Sequence, residues 1–471
     1  MSRINTNINS LYAINALQQN QSDLSLHLQR LSTGLKINSG ADAPAGLIAS
    51  QQLQSEMAGI SQAIDNSQQA GNVVNTADGA LGEVSSMLLQ MQSLTNQAAN
   101  TGALSPAEVA ANQLQVDSIL ASINRISNTT EFNGVQLLNG SLDFTTSGVA
   151  ASAITGTQLN AVQVPNGSTV NVTVQVVTSA QLADVKYTAS GIGASATTIE
   201  VAGNLGTEQL SFAASTHNSA IAFAINGVTE STGVSASVLG NGQLEITSTQ
   251  YGAAQFVSVK SVGTSGSFVN SDKVGRDAEV TINGTEADVD GLDASVRNGN
   301  FDVDLTLNAG FATTQGATTN FYVTGGGATF QLGSEVDQQG QVQIGVASVS
   351  TDSLGNNIDG FLSALGSGGT ASLTSGNLDT SQRILNDAIS QVSTLRGRLG
   401  AFQSDVIDSN SDSLNVALEN VTSSESDITD ADFATETAAL TRAQILVQAN
   451  TSVLALANSS PNGVLSLLQN L

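Results

Sequence analysis

The 471-residue sequence contains no cysteine and no tryptophan, and it has only four prolines and two histidines. Without cysteine, the fold cannot depend on disulfide bonds, and thiolate metal sites are excluded. The histidines, His27 and His217, give no pair at metal-ligand spacing, and no zinc-protease helix, phosphate-binding loop or nucleophile elbow occurs. The sequence therefore predicts no catalytic site, no cofactor and no enzyme.

Positive charge is also scarce. The chain has 13 Lys and Arg against 39 Asp and Glu, a formal net charge of -26. Binding to nucleic acid or to anionic lipid needs clustered cations, so neither partner is expected. An uninterrupted apolar run of roughly 18 residues, as a membrane span requires, is absent. The N-terminal segment lacks the apolar core of about 7–15 residues typical of a cleaved secretory signal. If the protein is extracellular, it leaves the cell by a route that does not use such a signal.

Both ends of the chain are apolar, helix-patterned and almost free of charge. Arg3 is the only charged side chain in residues 1–22, and none occurs in residues 443–471. A helix on the surface of a monomer carries charges on its wet face, whereas the polar residues here are Asn, Gln, Ser and Thr. A helical bundle within a monomer is the alternative, but the pattern favours burial against other copies of the chain. The residues expected in this assembly interface are Ile4, Ile8, Leu11, Leu17, Leu24, Leu28, Leu31, Leu446, Val453, Leu454 and Leu456.

The hydrophobic period divides the chain into helix, strand and helix. Three- and four-residue spacing predicts a helix over 4–33, and Ser105 with Glu108 forms a capping-box signal for another. Alternating apolar residues in the middle predict antiparallel strands at 170–176, 301–307 and 342–346, in one large or two small domains. Helical spacing returns near Ser381, and the last helix is predicted to break at 458–461. The expected fold is an α+β multidomain chain, with discontinuous N- and C-terminal α-helical coiled-coil or bundle domains and an inserted β-rich region.

One acidic segment is a weak candidate for metal binding. Asp288, Asp290 and Asp293 surround Gly291 in the manner of some calcium loops. The terminal glutamate and the spacing of an EF-hand are missing, so a solvated acidic turn is the favoured interpretation.

The terminal sequences resemble those of bacterial flagellins. The resemblance is carried by MSRINTNINSLYAINALQQNQSDL, by RLSTGLKINSGADAPAGLIAS, by TTEFNGVQLLNGS at 129–141 and by ALTRAQILVQANTSVLALANSSPNGVLSLLQ near the C-terminus. It covers roughly 1–143 and 376–471. In addition, residues 216–259 look like a short module inserted in flagellins and hook-associated proteins.

The resemblance implies an extracellular structural subunit that polymerises head-to-tail into the flagellar filament. A hook–filament junction protein of the same architecture is the alternative. An outer region that acts as an adhesin or glycan carrier is compatible with the filament subunit. The implied domains are an N-terminal inner-core arm at 1–40, a helical shell domain at 41–143 that ends in β-turns, a surface-exposed β-rich region at 144–375, a second shell part at 376–427 and a C-terminal inner-core arm at 428–471.

The resemblance also implies partners. These are further copies of the chain, an export chaperone that binds the C-terminal segment, the filament cap and hook-associated proteins. Many flagellins that Toll-like receptor 5 recognises carry arginine in a helical segment that corresponds to residues 88–94 here. This chain has Gln90 and Gln92 at those arginine positions, followed by Leu94. Since a charged bidentate anchor is missing, recognition by the receptor is doubtful.

Overall fold

The computed structural model describes residues 6–100, 102, 104–164, 168–189, 191–262, 270–298 and 301–469, with the backbone alone for 461–469. The α-helices are α1 (Ile8–Thr33), α2 (Pro44–Ala98), α3 (Pro106–Thr129), α4 (Asn218–Asn226), α5 (Thr229–Thr232), α6 (Ala309–Ala312), α7 (Leu378–Ala401), α8 (Ser409–Thr429) and α9 (Phe433–Gln469). A 3₁₀ turn spans Leu362–Leu365, and a π-helical segment, Phe402–Asp408, separates α7 from α8. None of the helices in the described ranges is long and apolar enough to cross a membrane.

The β-strands concentrate in the middle of the chain, as the alternating pattern predicts. They are β1 (Glu131–Phe132), β2 (Val135–Gln136), β3 (Phe144–Ser147), β4 (Ile154–Val162), β5 (Val170–Thr178), β6 (Asp184–Tyr187), β7 (Thr197–Gly203), β8 (Thr207–Phe212), β9 (Val234–Val238), β10 (Leu244–Ser248), β11 (Phe256–Val262), β12 (Ser271–Val274), β13 (Glu279–Ile282), β14 (Thr285–Glu286), β15 (Asp288–Asp290), β16 (Asp293–Asn298), β17 (Phe301–Leu307), β18 (Thr318–Gly326), β19 (Ala328–Gln331), β20 (Gln341–Ile344), β21 (Gly355–Asn356) and β22 (Gly360–Phe361). The described strand pairs are antiparallel.

The chain divides into two compact units. The terminal unit comprises 1–68, 332–340 and 407–471, and the central unit comprises 69–331 and 341–406. Helices at both ends with a β-rich insertion between them confirm the predicted fold class.

The strands of the central unit enclose two separate apolar cores. One lies between the sheet β14-β13-β5-β18-β3 and the sheet β15-β16-β17-β4. The other lies among the sheet β6-β10-β9, the sheet β12-β11-β7-β8 and α4. Among its described residues, the strand region therefore has two hydrophobic cores, a number that the alternating pattern could not decide.

The helices of the central unit bury heptad stripes. In α2, apolar side chains recur at alternating steps of four and three residues and all are buried: Ala70, Val74, Ala77, Leu81, Val84, Leu88 and Met91. Polar bonds tie α7 to α2, since Arg396 Nε donates to Asp78 Oδ1 at 2.8 Å and Gln92 Nε2 donates to Asn386 Oδ1 at 3.1 Å. The predicted capping box at Ser105 and Glu108 is present at the start of α3.

The predicted break at 458–461 is wrong, because α9 continues to Gln469. Pro461 fixes a backbone angle that a helix tolerates, but it has no N–H to donate to the carbonyl of Ala457, four residues earlier. That carbonyl instead accepts a hydrogen bond from Asn7 Nδ2 at 2.8 Å. A group from α1 thus takes the place of the bond that proline removes. At the other end of the chain, the described part of the first helix begins at Ile8, and residues 4 and 5 lie outside the described range.

A half-buried carboxylate on α7 gives the central unit a pH-sensitive point. Burial, together with repulsion from Asp359, raises the pKa of Asp387 to about 6. Asn356 Nδ2 donates to its Oδ2 at 2.7 Å, which holds β21 against the helix.

We expect Asp387→Asn to stabilise the central unit at neutral pH. The folded state holds the Asp387 proton more tightly than the unfolded state, so the contribution of this group is full below the unfolded pKa of about 3.8 and is lost as the pH rises through about 6. Because the group is partly solvated, the gain at pH 7.5 is about 1 kcal/mol, and it vanishes near pH 3.5. Denaturant unfolding at both pH values tests this. The same substitution at exposed Asp352 is the control, and an equal gain for both variants would contradict the assignment.

A second prediction concerns the apolar core between the sheet β14-β13-β5-β18-β3 and the sheet β15-β16-β17-β4. Phe321 on β18 is fully buried, whereas its neighbour Tyr322 is 43% exposed. We expect Phe321→Ala to lower the free energy of unfolding by about 3–5 kcal/mol, and Tyr322→Ala to lower it by less than about 1 kcal/mol. Chemical denaturation followed by circular dichroism measures both, and similar losses would show that β18 does not alternate between core and solvent.

Candidate assembly surface on the terminal helices

Local sequence signals define the start and end of α1 and the start of α9. Asn7 caps α1, since its Oδ1 accepts from Ser10 N at 3.1 Å, and Gly34 ends the helix in the left-handed conformation with φ +75°. Asp432 caps α9 by accepting from Ala434 N at 2.9 Å.

α1 and α9 form an antiparallel pair within the terminal unit. At the base of the pair, Lys36 N donates to Thr429 O at 2.6 Å, and Ala431 N donates to Gly34 O at 2.9 Å. At the tip, Asn7 reaches Ala457, and Ser10 Oγ donates to Asn458 Oδ1 at 2.8 Å. The N-terminal end of α1 therefore lies beside the C-terminal half of α9.

After pairing, most side chains of both helices remain exposed or only half-buried. Of the 26 residues of α1, only Ala13 is buried, and of the described side chains of α9 only Glu436 and Ala443 are. A long helix in water needs an amphipathic face packed on something, because intrinsic helix propensity alone gives marginal stability. These two helices therefore have apolar surface that the terminal unit itself does not bury.

The residues expected in the assembly interface fall into two groups. Some are half-buried and lie at coiled-coil spacing or close to it, namely Leu17, Leu24, Leu31 and Leu454. Others are from 41% to 71% exposed, namely Ile8, Leu11, Leu28, Leu446, Val453 and Leu456. Ile4 lies outside the described residues. The pattern at the sequence level did not single out Tyr12, Phe433 and Ile445, which are 71%, 72% and 62% exposed.

A cluster of three ionisable side chains, His27, Arg30 and Glu436, lies near the base of the pair. Glu436 is only 8% exposed, and it accepts from Arg30 Nη1 at 3.1 Å and lies 2.5 Å from His27 Nδ1. Burial by itself would raise the pKa of Glu436, but the hydrogen bonds from His27 and Arg30 outweigh it and hold the pKa below its usual range. Sequence reasoning missed this cluster, because its partners are more than 400 residues apart in the chain.

The acidic segment suggested for metal binding forms a hairpin. Asp288 and Asp290 lie on β15, and Asp290 faces Asp293 on β16 across Gly291. These side chains line a cleft of about 700 Å³ that also holds Arg297 and Arg398. Within the described ranges, no group of three acidic or histidine side chains is arranged to hold a metal ion.

The receptor-segment residues lie on α2 in different environments. Gln90 is exposed and borders a shallow depression with Leu114, Gln92 is engaged with Asn386, and Leu94 is 7% exposed and belongs to the helical core. Of these three residues, only Gln90 has an exposed side chain.

Comparison with known families gives a consistent result. The family model of the bacterial flagellin N-terminal helical region matches residues 4–143, and that of the flagellin C-terminal helical region matches residues 351–468. A third model, the flagellin hook IN motif, matches residues 198–250.

Relatives align over almost the full chain. B-type flagellin of Pseudomonas aeruginosa and a flagellin of Salmonella rubislaw are each 30% identical, with 99% of both chains covered. The solved structure of FliC from Burkholderia pseudomallei is 15% identical over 71% of this chain and 99% of that chain, with a TM-score of 0.25. The sequence matches support the filament-subunit prediction over the junction-protein alternative. The chain therefore belongs to the bacterial flagellin family, whose members are structural subunits of the extracellular flagellar filament.

Proposed function

We propose that this flagellin polymerises through the exposed apolar side chains of α1 and α9, which are covered by the same helices of other copies. The observation that supports this most directly is the burial of one residue in 26 along α1. A monomer rarely exposes so continuous an apolar surface unless something else covers it.

The chemistry of the exposed surface favours copies of the same chain as the cover. Charged side chains are absent from α1 before Asp23 and from α9 after Arg442, so dense packing of many copies buries no unpaired charge. The uncharged amides and hydroxyls that alternate with the apolar residues can pair with one another once water is removed. A repeated head-to-tail contact of this kind does not close on itself and produces a helical fibre.

The remaining assignments follow from family membership. We infer inner-core arms at 1–40 and 428–471, shell segments at 41–143 and 376–427, and a solvent-facing β-rich region at 144–375. The strong acidity of the chain supports solvent exposure of that region. We further infer that an export chaperone binds the C-terminal segment, that the cap and hook-associated proteins contact the filament, and that the protein has no enzymatic role.

Replacing exposed apolar residues on the two helices is expected to prevent polymerisation without unfolding the protein. Leu11 and Leu456 are 63% and 71% exposed, so Leu11→Ser with Leu456→Ser removes little packing from the monomer. If both leucines are buried on assembly, the critical concentration for filaments rises at least about tenfold. Pelleting and electron microscopy measure this.

The matched control is Phe223→Ser, which removes an 82% exposed aromatic side chain from α4 in the central unit. It is expected to assemble like the parent chain. Unchanged assembly of the double leucine variant would contradict the proposed interface. A parent chain that stays monomeric even with filament seeds would favour a junction protein.

Recognition by Toll-like receptor 5 is expected to be weak or absent. Gln90 and Gln92 provide no charge, and the amide of Gln92 already pairs with Asn386. A cell reporter should respond to this flagellin far less than to one with arginine at both positions. Gln90→Arg with Gln92→Arg should increase the response, with Gln51→Arg and Gln52→Arg, at exposed positions far along α2, as the charge-matched control. A strong response to the parent chain would refute the prediction.

A further inference from the structure

The apolar pairing of α1 and α9 does not by itself define a unique register. Leu17, Leu24 and Leu31 lie seven residues apart, so a slip of seven residues, about 10 Å, puts leucine where leucine was. Hydrophobic contact is non-directional and discriminates weakly between such alternatives. In coiled coils, single polar residues usually fix the register.

Polar contacts near the base favour the native register, because a slip of the whole pair breaks them, but they lie at one end of the pair. The backbone bonds of Lys36 and Ala431 and the buried cluster around Glu436 lie there. Asn7 lies 23 residues before Arg30 in the sequence, about 35 Å along the helix. Over that length, the described side-chain bonds between the helices occur only at the tip, from Asn7 and Ser10.

Both polar atoms of the Asn7 side-chain amide form hydrogen bonds. Its oxygen caps α1, and its nitrogen donates to the carbonyl of Ala457. This carbonyl differs from its neighbours in α9, because the residue four positions later is Pro461, which has no N–H. After a slip of seven residues, Asn7 would face the carbonyl of Asn450 or Val464, and each of these lies four residues before a residue that has an N–H.

We propose that Asn7 is a positioning residue that sets the register at the tip by pairing with the one carbonyl that Pro461 leaves free. The proposal rests on the proposed assembly function, because the filament interior excludes the water that could otherwise take the place of Asn7. A slipped pair then leaves the Ala457 carbonyl without a partner, and a buried unpaired carbonyl is destabilising. Pro461, which disfavours a helix by itself, thereby determines which pairing is correct.

Engineered cysteines can report the register, since the chain has none of its own. In filaments, Ser10→Cys with Asn458→Cys reports the native register, because these side chains touch. Ser10→Cys with Thr451→Cys reports a slip of seven residues. Disulfide yield after mild oxidation gives the ratio of native to slipped pairing.

Two substitutions, Asn7→Asp and Pro461→Ala, test the proposal in these two cysteine backgrounds. Asn7→Asp keeps the capping oxygen but loses the donor, so the ratio should fall about two- to tenfold, the range expected for one hydrogen bond. Asn15→Asp, which adds the same charge at an exposed position of α1, should leave it unchanged.

Pro461→Ala restores the missing N–H and favours the helix, yet it should also lower the ratio, because Ala457 then has a partner in any register. Adding Asn7→Asp to Pro461→Ala should have little further effect. A purely structural role of the helix predicts the opposite, a higher ratio in Pro461→Ala. Normal filaments with an unchanged ratio in both single variants would overturn the register proposal and leave the assembly function intact. A parent chain that does not pellet would overturn the assembly function, and this inference with it.

Discussion

The terminal unit depends on a geometric limit of helix pairing. When two helices pair, each can bury only one stripe of its side chains against the other, and the remaining surface of α1 and α9 stays in contact with solvent. In most soluble proteins that surface is charged, and pairing of two helices is then sufficient. Here it is apolar or neutral over long stretches, so the pair leaves apolar surface that the terminal unit does not bury. In the assembly that we propose, further copies cover this surface and complete a core that a single chain only begins.

The same limit accounts for where charge is placed. The chain carries a large excess of acid, yet its buried charges in the terminal unit meet in one cluster, where Glu436 is matched by Arg30 and His27. A buried carboxylate is tolerated when cations and hydrogen bonds surround it and is strongly destabilising when they are removed. Near the base, Arg30 and His27 supply these contacts to the Glu436 carboxylate. Further along the pair, amides and hydroxyls replace it, since they pair in many geometries and carry no net charge.

Much of this was predictable from the sequence, and the failures have physical reasons. Periodicity and capping chemistry are local, so the helices, the capping box at Ser105 and the alternating strands could be predicted. The helix break predicted at Pro461 is wrong because Asn7, more than 450 positions away in the sequence, donates the hydrogen bond that the missing N–H of Pro461 cannot. The Glu436 cluster, the division of the strands into two cores and the burial of Leu94 depend likewise on contacts between distant segments, which a period cannot reveal.

A comparison of α2 with α1 shows what a heptad stripe does and does not encode. Both helices carry apolar residues at steps of three and four. In α2 the stripe from Ala70 to Met91 is buried throughout within the central unit, whereas in α1 the residues at similar spacing are half-buried or exposed. The difference lies in the partners, since this part of α2 contacts α7 within the central unit and α1 pairs with α9. A stripe therefore specifies which side chains are to be buried, but not whether its own chain supplies the cover.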